Sequence, residues 1–403
     1  MTIWKISLQN IKTRPLYTFL SVFTLSLSIA LLLGIQQLKT SFEHQMENNL
    51  GAIDLVIGAK GSPLQLVLAS VLHLDNPTGN ILYKDAKKIS KSPLIKTAVP
   101  ISYGDNYKGY KIIGTTGEFV SLYNAKLEKG SVVKKSMEVI LGHTVAAQLD
   151  LKVGETFLSS HGLIENDIEV HSESLTVVGI LKPTQKVIDR LIITNLESVW
   201  DVHHHDNEVH EKEKNHMEYH EGKEITSLLV SFRNPSALLT LPRRINKHTY
   251  MQAALPKYEL DRLYQYTGVG FKTISWIAYI ILVISCMTVF ISLYKMVKER
   301  AFDLALLRTY GASNFQLIRM VVYEGVLIVF LALILGLALS KIGVYFMFKI
   351  TETDNKQNIL QELPFHELLQ TVMLVFSMIV LSVLLAIYPI IKMNISTILS
   401  NEK

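Results

Sequence analysis

Four apolar runs constrain this chain more than any other feature. They are YTFLSVFTLSLSIALLLGI (Tyr17 to Ile35), ISWIAYIILVISCMTVFISLY (Ile274 to Tyr294), the run from Val321 to about Phe348, and LLQTVMLVFSMIVLSVLLAIYPII (Leu368 to Ile391). A bilayer's hydrocarbon core is about 30 Å thick and a helix rises about 1.5 Å per residue, so roughly 20 apolar residues cross it. Each run reaches or approaches that length. Of the 403 residues 49% are hydrophobic and 19% charged, with the apolar residues gathered into these blocks. That distribution excludes one ordinary soluble domain. The first run exceeds the roughly 7–15 residues of a secretion-signal core and is followed by no small-x-small cleavage site, so a retained anchor is expected.

Bases flanking the runs set the expected orientation, since cytoplasmic loops are enriched in Lys and Arg. Lys5, Lys12 and Arg14 precede the first run; Lys295, Lys298, Arg300, Arg308 and Arg319 lie between the second and third. Between the third and fourth, Thr351 to Pro364 holds Glu352, Asp354 and Glu362 against Lys356 alone. Both termini are therefore expected inside, and the formal net charge of +5 calls for no nucleic-acid partner. The single cysteine, Cys286, falls inside the second run and excludes an intramolecular disulfide.

The expected fold class is an α-helical membrane protein with four transmembrane helices plus a mixed α+β extracytoplasmic domain. Residues 1–16 read as a cytoplasmic amphipathic helix, with Trp4, Leu8 and Ile11 on one face. The spans follow at 17–37, 271–296, 321–348 and 367–392. Residues 38–270 form the outer domain, 297–320 an inner helix, 349–366 a short outer loop and 393–403 a cytoplasmic tail. Within the outer domain Leu38–Asn49 reads as a polar helical stalk. YKIIGTT, MEVILG, ETFLSS, EVHSESLTVVGIL, RLIITN and ITSLLVSF read as strands, and HTVAAQL and SALLTLPRRI as short helices. The run from Leu64 to Leu74 is too short to cross a bilayer; it rests on the membrane, lines a cleft or packs in the core. Gly268 and Gly270 mark either a hinge where the chain returns to the membrane or an ordinary glycine pair.

Two segments carry candidate function. KERAFDLALLRTYGAS (Lys298 to Ser313) is a Leu-rich charged helix on the inner side. Val297, Ala301, Leu304 and Ala305 gather on one face, while Phe302, Leu306 and Leu307 spread around the rest. A helix that apolar needs a covering partner. Gly311 supplies a C′ position where positive φ is easy, and Ser313 a cap for the next helix. The second segment, DVHHHDNEVHEKEKNHMEYHEGKE (201–224), holds His203, His204, His205, His210, His216 and His220 with eight acids and three lysines. Its composition forms no core. Imidazole suits zinc-class ions, but without cysteine or fixed tetrahedral spacing the choice lies between loose zinc capture and a solvated insertion.

KERAFDLALLRTYGASNFQLIRMVVYEG resembles the signature of the FtsX-like permease family, which includes permeases of the MacB and LolC/LolE types. The matching positions are Glu299 or Asp303, Leu304, Gly311, Ala312, Ser313 and Glu324. EVILGHTVAAQLDLKVGETFLSS followed by SLTVVGILKPT is similar to that family's periplasmic core, with Glu155 in place of the usual Asp. The resemblance implies the permease subunit of an ABC transporter in a bacterial inner membrane. Glu299, Arg300, Asp303, Leu304, Leu307, Arg308, Gly311, Ala312 and Ser313 would then couple to a cytoplasmic ATPase dimer. It also implies a second permease subunit, the same or homologous, and allows a periplasmic or lipoprotein partner beside the membrane lipids. ATP and magnesium would sit on the ATPase, since no G-x-x-x-x-G-K-[ST] loop occurs in this sequence. The chain itself is expected not to be an enzyme, no nucleophile–base pair or metal motif lying within the runs. The expected output is extraction or export of a hydrophobic or lipid-linked substrate; the alternative is mechanotransmission that activates a periplasmic partner without cargo.

Overall fold

The computed structural model describes residues 15–161, 169–202, 223–350 and 365–391. The expected N-terminal amphipathic helix, His203–His220, most of the 349–366 loop and the 393–403 tail lie outside the described residues. The chain divides into two compact units, one built from residues up to 42 and most of those after 266, the other from residues 43–266.

Among the described residues four helices are long and apolar enough to cross a membrane: α1 (Pro15–Leu50), α7 (Pro256–Glu299), α9 (Asn314–Ile350) and α10 (Phe365–Ile391). Between α1 and α7 lie shorter helices of the sheet-bearing unit, from α2 (Pro63–Ser70) to α6 (Ala237–His248), and between α7 and α9 lies α8 (Ala301–Thr309). Lipid offers little driving force for helix association, so close packing and hydrogen bonds must supply it. On α1, Val22, Leu25, Ile29, Leu32 and Leu33 are buried while Phe19, Phe23 and Leu27 face outward. That is the i, i+3, i+4, i+7 spacing of one helical stripe. Val375, Ile379, Val383 and Ala386 repeat it on α10 within the same cluster. Small residues bring the helices close: a Cβ on Gly336 would stand 2.8 Å from Ile29 Cγ2, and one on Gly325 2.6 Å from Val383 Cγ2. Buried serines add polar contacts, with Ser28 Oγ 2.7 Å from Ser285 Oγ and Ser382 Oγ donating to the Cys286 carbonyl at 3.3 Å.

Helices α1 and α7 run further than the spans expected at 17–37 and 271–296. The polar stalk through Asn49 is the continuation of α1. Lys257–Gly270 is helical as well, Gly268 and Gly270 included. Each glycine costs a helix about 1 kcal/mol against Ala, which their helix-forming neighbours tolerate.

The second unit is a mixed α+β domain. Its strands are β1 (Leu55–Ala59), β2 (Ile81–Leu82), β3 (Ile95–Tyr107), β4 (Tyr110–Thr115), β5 (Leu127–Gly130) and β6 (Glu138–Leu141). They continue with β7 (Thr156–His161), β8 (Glu169–Leu181), β9 (Ile192–Asn195), β10 (Glu224–Ile225), β11 (Ser227–Phe232) and β12 (Met251–Ala254). The main sheet runs β12-β1-β11-β3-β4-β9-β6-β8-β5, with β7 beside β3 and β8; β2 and β10 pair separately. Pairings β4–β9 and β6–β8 are parallel and the rest antiparallel. Central strands read as continuous apolar runs because both faces are covered. Leu228 and Val230 of β11 enter one core while Leu229 enters another, and on β6 Val139 and Leu141 separate from Ile140.

Helices α2 (Pro63–Ser70), α3 (Tyr83–Ser90), α4 (Glu118–Leu122), α5 (His143–Leu149) and α6 (Ala237–His248) also belong to this unit, as do a 3-10 turn at Val187–Arg190 and helical residues 196–202. The ambiguous Leu64–Leu74 run resolves as core. It forms α2 and its exit, with Leu66, Val67, Val71 and Leu72 buried in the cluster that also holds Val99, Ile101 and Leu229.

His73 follows α2 at φ +54 and is 7% exposed. The Tyr103 hydroxyl donates to the Ala69 carbonyl, so the imidazole proton belongs on His73 Nδ1, 2.5 Å from the Tyr103 oxygen. Burial first, and then the Lys111 charge, push His73 down from 6.5 to about 3. Its sign is that of a base held neutral in the fold: stability is full above pH 6.5 and is lost as pH falls toward 3. There the unfolded chain takes up a proton that the folded one refuses, at about 1.4 kcal/mol per pH unit. His73→Phe is expected to flatten the acid limb of stability against pH in a series of thermal melts. An unchanged limb counts against this assignment.

Candidate functional site: the short helix between α7 and α9

Helix α7 ends at Glu299, and Arg300 leaves helical geometry at φ −104°, ψ 14°. Its carbonyl accepts the Leu304 N–H at 2.9 Å, which starts α8 (Ala301–Thr309) as a separate helix. Leu304 and Ala305 are buried, and Leu304 shares a cluster with Met296, Val297, Leu317 and Val321. The buried face is therefore the one that the sequence pattern placed there, with Ala301 half-buried.

The end of α8 is fixed by backbone bonds. Gly311 N–H donates to the Arg308 carbonyl at 3.1 Å and Ala312 N–H to the Leu307 carbonyl at 3.0 Å. With Gly311 at φ +99 this is a Schellman closure, whose C′ position favours glycine. Ser313 then caps α9: its Oγ accepts the Gln316 N–H at 3.3 Å and its own N–H donates to Gln316 Oε1 at 3.0 Å. That reciprocal pair is a capping box. Four residues, Tyr310 to Ser313, thus hold one helix end and one helix start without a free linker between them.

What this elbow displays is apolar. Leu306 is 38%, Leu307 40%, Tyr310 82% and Phe315 71% exposed. Around them stand Lys298, Glu299 and Arg308, and Arg319 donates to the Tyr323 hydroxyl at 2.6 Å. Asp303 lies on α8. Nearby, Lys295 Nζ donates to Tyr17 Oη at 2.7 Å, sits 4.7 Å over the Tyr17 ring and is 3.8 Å from Glu299 Oε1. Lys295 and Tyr17 line a small cavity together with the buried Glu324.

All nine residues that the sequence nominates for coupling, Glu299 to Ser313, fall on this elbow, although Leu304 points inward. Tyr310 and Phe315 were missed; an aromatic on either side of a Gly-Ala-Ser turn is the signal that marks them. Gly268 and Gly270 lie inside α7 with helix on both sides. The six histidines nominated for zinc lie outside the described residues, and among the described residues no three His, Cys, Asp or Glu side chains form a metal cluster.

Comparison with known proteins covers nearly the whole chain. The family profile for the FtsX-like permease C-terminal region matches residues 275–395, and that for the MacB-like periplasmic core domain matches residues 18–246. Among solved structures, the periplasmic region of MacB from Actinobacillus actinomycetemcomitans aligns at 11% identity and a TM-score of 0.35, over 54% of this chain and 97% of that one. The extracellular domain of the noncanonic ABC-type transporter YknZ from Gram-positive bacteria gives 11% identity and 0.30, over 50% and 98%. A domain of a permease protein from Porphyromonas gingivalis gives 13% and 0.26, over 51% and 88%. Curated proteins give no match.

Proposed function

This chain belongs to the FtsX-like permeases that carry a MacB-like periplasmic core domain, and we propose that it couples ATP hydrolysis on a separate ATPase dimer to motion of its core domain. The family is a permease-type membrane component of ABC transporters rather than a nucleotide-binding protein. The observation that carries the finer reading is the elbow, a capped helix between two apolar helices that presents Leu306, Leu307, Tyr310 and Phe315 outward. A stiff helix end with an apolar face can pass a push from a bound partner to the helices joined to it.

In this reading the elbow faces the cytoplasm of a bacterial inner membrane, with both termini on that side, as the flanking bases favour. Two permease subunits, identical or homologous, flank the ATPase dimer, and Gly268 and Gly270 are the bend points of α7. The driven domain extracts or exports a hydrophobic or lipid-linked substrate, a lipoprotein among the candidates. On composition alone, His203, His204, His205, His210, His216 and His220 are assigned to loose zinc capture.

Affinity purification of the tagged full chain from its native membrane tests this. An ABC ATPase is expected in stoichiometric yield, with ATP turnover in liposomes accompanied by release of bound lipid or lipoprotein. ATP turnover that activates a periplasmic partner and releases no cargo moves the assignment to mechanotransmission, and absence of an ATPase removes it. Zinc titration of the purified chain before and after deletion of residues 203–220 tests the metal assignment; equal zinc uptake by both removes it.

A further inference from the structure

The turn between β8 and β9 has a hydrogen-bonded interior and two contacts to the end of α1. Asp189 is 5% exposed. Its carboxylate accepts the Thr184 N–H at 2.8 Å, the Thr184 hydroxyl at 2.8 Å and the Gln185 N–H at 2.7 Å. Gln185 is held at φ +60. A buried carboxylate needs such donors, and with them it fixes the turn's shape.

The outside of the same turn meets the last two turns of α1. Gln45 Nε2 donates to the Gln185 carbonyl at 3.2 Å, and the Val187 N–H donates to Asn49 Oδ1 at 2.9 Å. Met46 and Leu50 pack on the core cluster that contains Ile188 and Leu191. Lys186 Nζ donates to the Tyr123 carbonyl at 3.0 Å, tying the turn to the exit of α4. On the sheet side the Leu191 carbonyl accepts the Gly142 N–H at 2.9 Å, and the chain runs straight into β9, which lies between β4 and β6. The end of α1 thus meets the middle of the sheet through one rigid turn.

Resting on the function proposed above, we propose that residues 184–190 are the joint through which displacement of the α1 end reaches the sheet. Asn49 and Asp189 are its positioning residues: Asn49 engages the stalk and Asp189 keeps the turn stiff enough to pass on the displacement. Coupling of this kind needs an element that both ends bias, and one turn bonded to both supplies it.

Hydrogen-exchange mass spectrometry of the full chain with its co-purified ATPase in liposomes, with and without Mg-ATP, tests the joint. In the wild type, ATP is expected to change exchange at residues 43–50, 184–190 and 192–195 together, by about tenfold at the most affected amides. Asn49→Ala should keep the change at 43–50 and lose it at 184–195, while Asn49→Asp, which keeps an acceptor for the Val187 N–H, restores it. Asp189→Ala should give the same loss if it folds; the Asn49 pair decides if it does not. A wild-type change at 43–50 without one at 184–195, or an Asn49→Ala protein indistinguishable from wild type, overturns the joint alone. No ATP-dependent change anywhere in the wild type overturns the permease reading and the joint with it.

Discussion

Gly142→Val is expected to leave the sheet-bearing unit unfolded, and Gly142→Ala to cost it about 3 kcal/mol or more. A Cβ at this position would stand 2.4 Å from the Asp189 carbonyl oxygen, 2.5 Å from the Asp189 carbonyl carbon and 2.5 Å from the Ile188 oxygen. All three are backbone atoms, so no side-chain rotation relieves the clash. The backbone itself is pinned by Gly142 N–H to the Leu191 carbonyl and by Asp189 N–H to the Lys186 carbonyl, at 2.9 and 3.0 Å. Gly142 closes the EVILG stretch, and the geometry gives it a physical reason: strand β6 ends where the 187–190 turn lies directly against it. Gly154→Ala is the control. There φ is +97 but nothing lies within 4 Å of the added carbon, so only backbone strain of about 1–2 kcal/mol is expected. Thermal melts of the purified full chain separate the two. Equal losses at both positions mean that the close approach at Gly142 is not what the sheet depends on.

The sequence made the long helices legible because lipid thickness imposes a length that no other constraint mimics. It also made the elbow legible, since Gly311 and Ser313 carry the positive φ and the hydroxyl that a helix stop and start require. Strand positions followed from local periodicity and from turn residues. Sheet order did not: β4 pairs with β9 and β3 with β11 across long separations, and nothing local in Ile112 or Leu229 records the partner. For the same reason the Leu64–Leu74 run could not be placed until the sheet beneath it was known. His73 escaped notice because it is defined by distant groups, Tyr103 and Lys111; Asp189 is held by its near neighbours Thr184 and Gln185, and what no local pattern records is that the turn it shapes meets the end of α1 through Gln185 and Val187. Where α1 ends and α7 begins was the least legible feature, since no proline within Leu38–Asn49 or Lys257–Gly270 confines either helix to the membrane.

On the function proposed above, Leu307→Glu is expected to break association with an ATPase partner while leaving the chain folded. Leu307 is 40% exposed, so a carboxylate there meets water in the free protein and costs the fold little. Against a partner's apolar pocket the same carboxylate would be buried without a counter-charge, and losing an anchoring side chain costs about 2–4 kcal/mol, roughly 30- to 1,000-fold in affinity. Leu304→Glu should fail in the opposite way. Leu304 is 3% exposed and packs in the core shared by α7 and α9, so charge there destabilises the chain itself whether or not a partner is present. Between these lies Ser313→Ala, which removes one half of the cap on α9 and costs about 1 kcal/mol of local helix stability. Pull-down yield of the ATPase, read beside the thermal midpoint of each variant, distinguishes the three. A lowered yield at an unchanged midpoint belongs to a contact surface, and a lowered midpoint belongs to the core. If Leu307→Glu retains the ATPase in full, the row Leu306, Leu307, Tyr310 and Phe315 is not the contact. A partner would then have to engage α8 elsewhere.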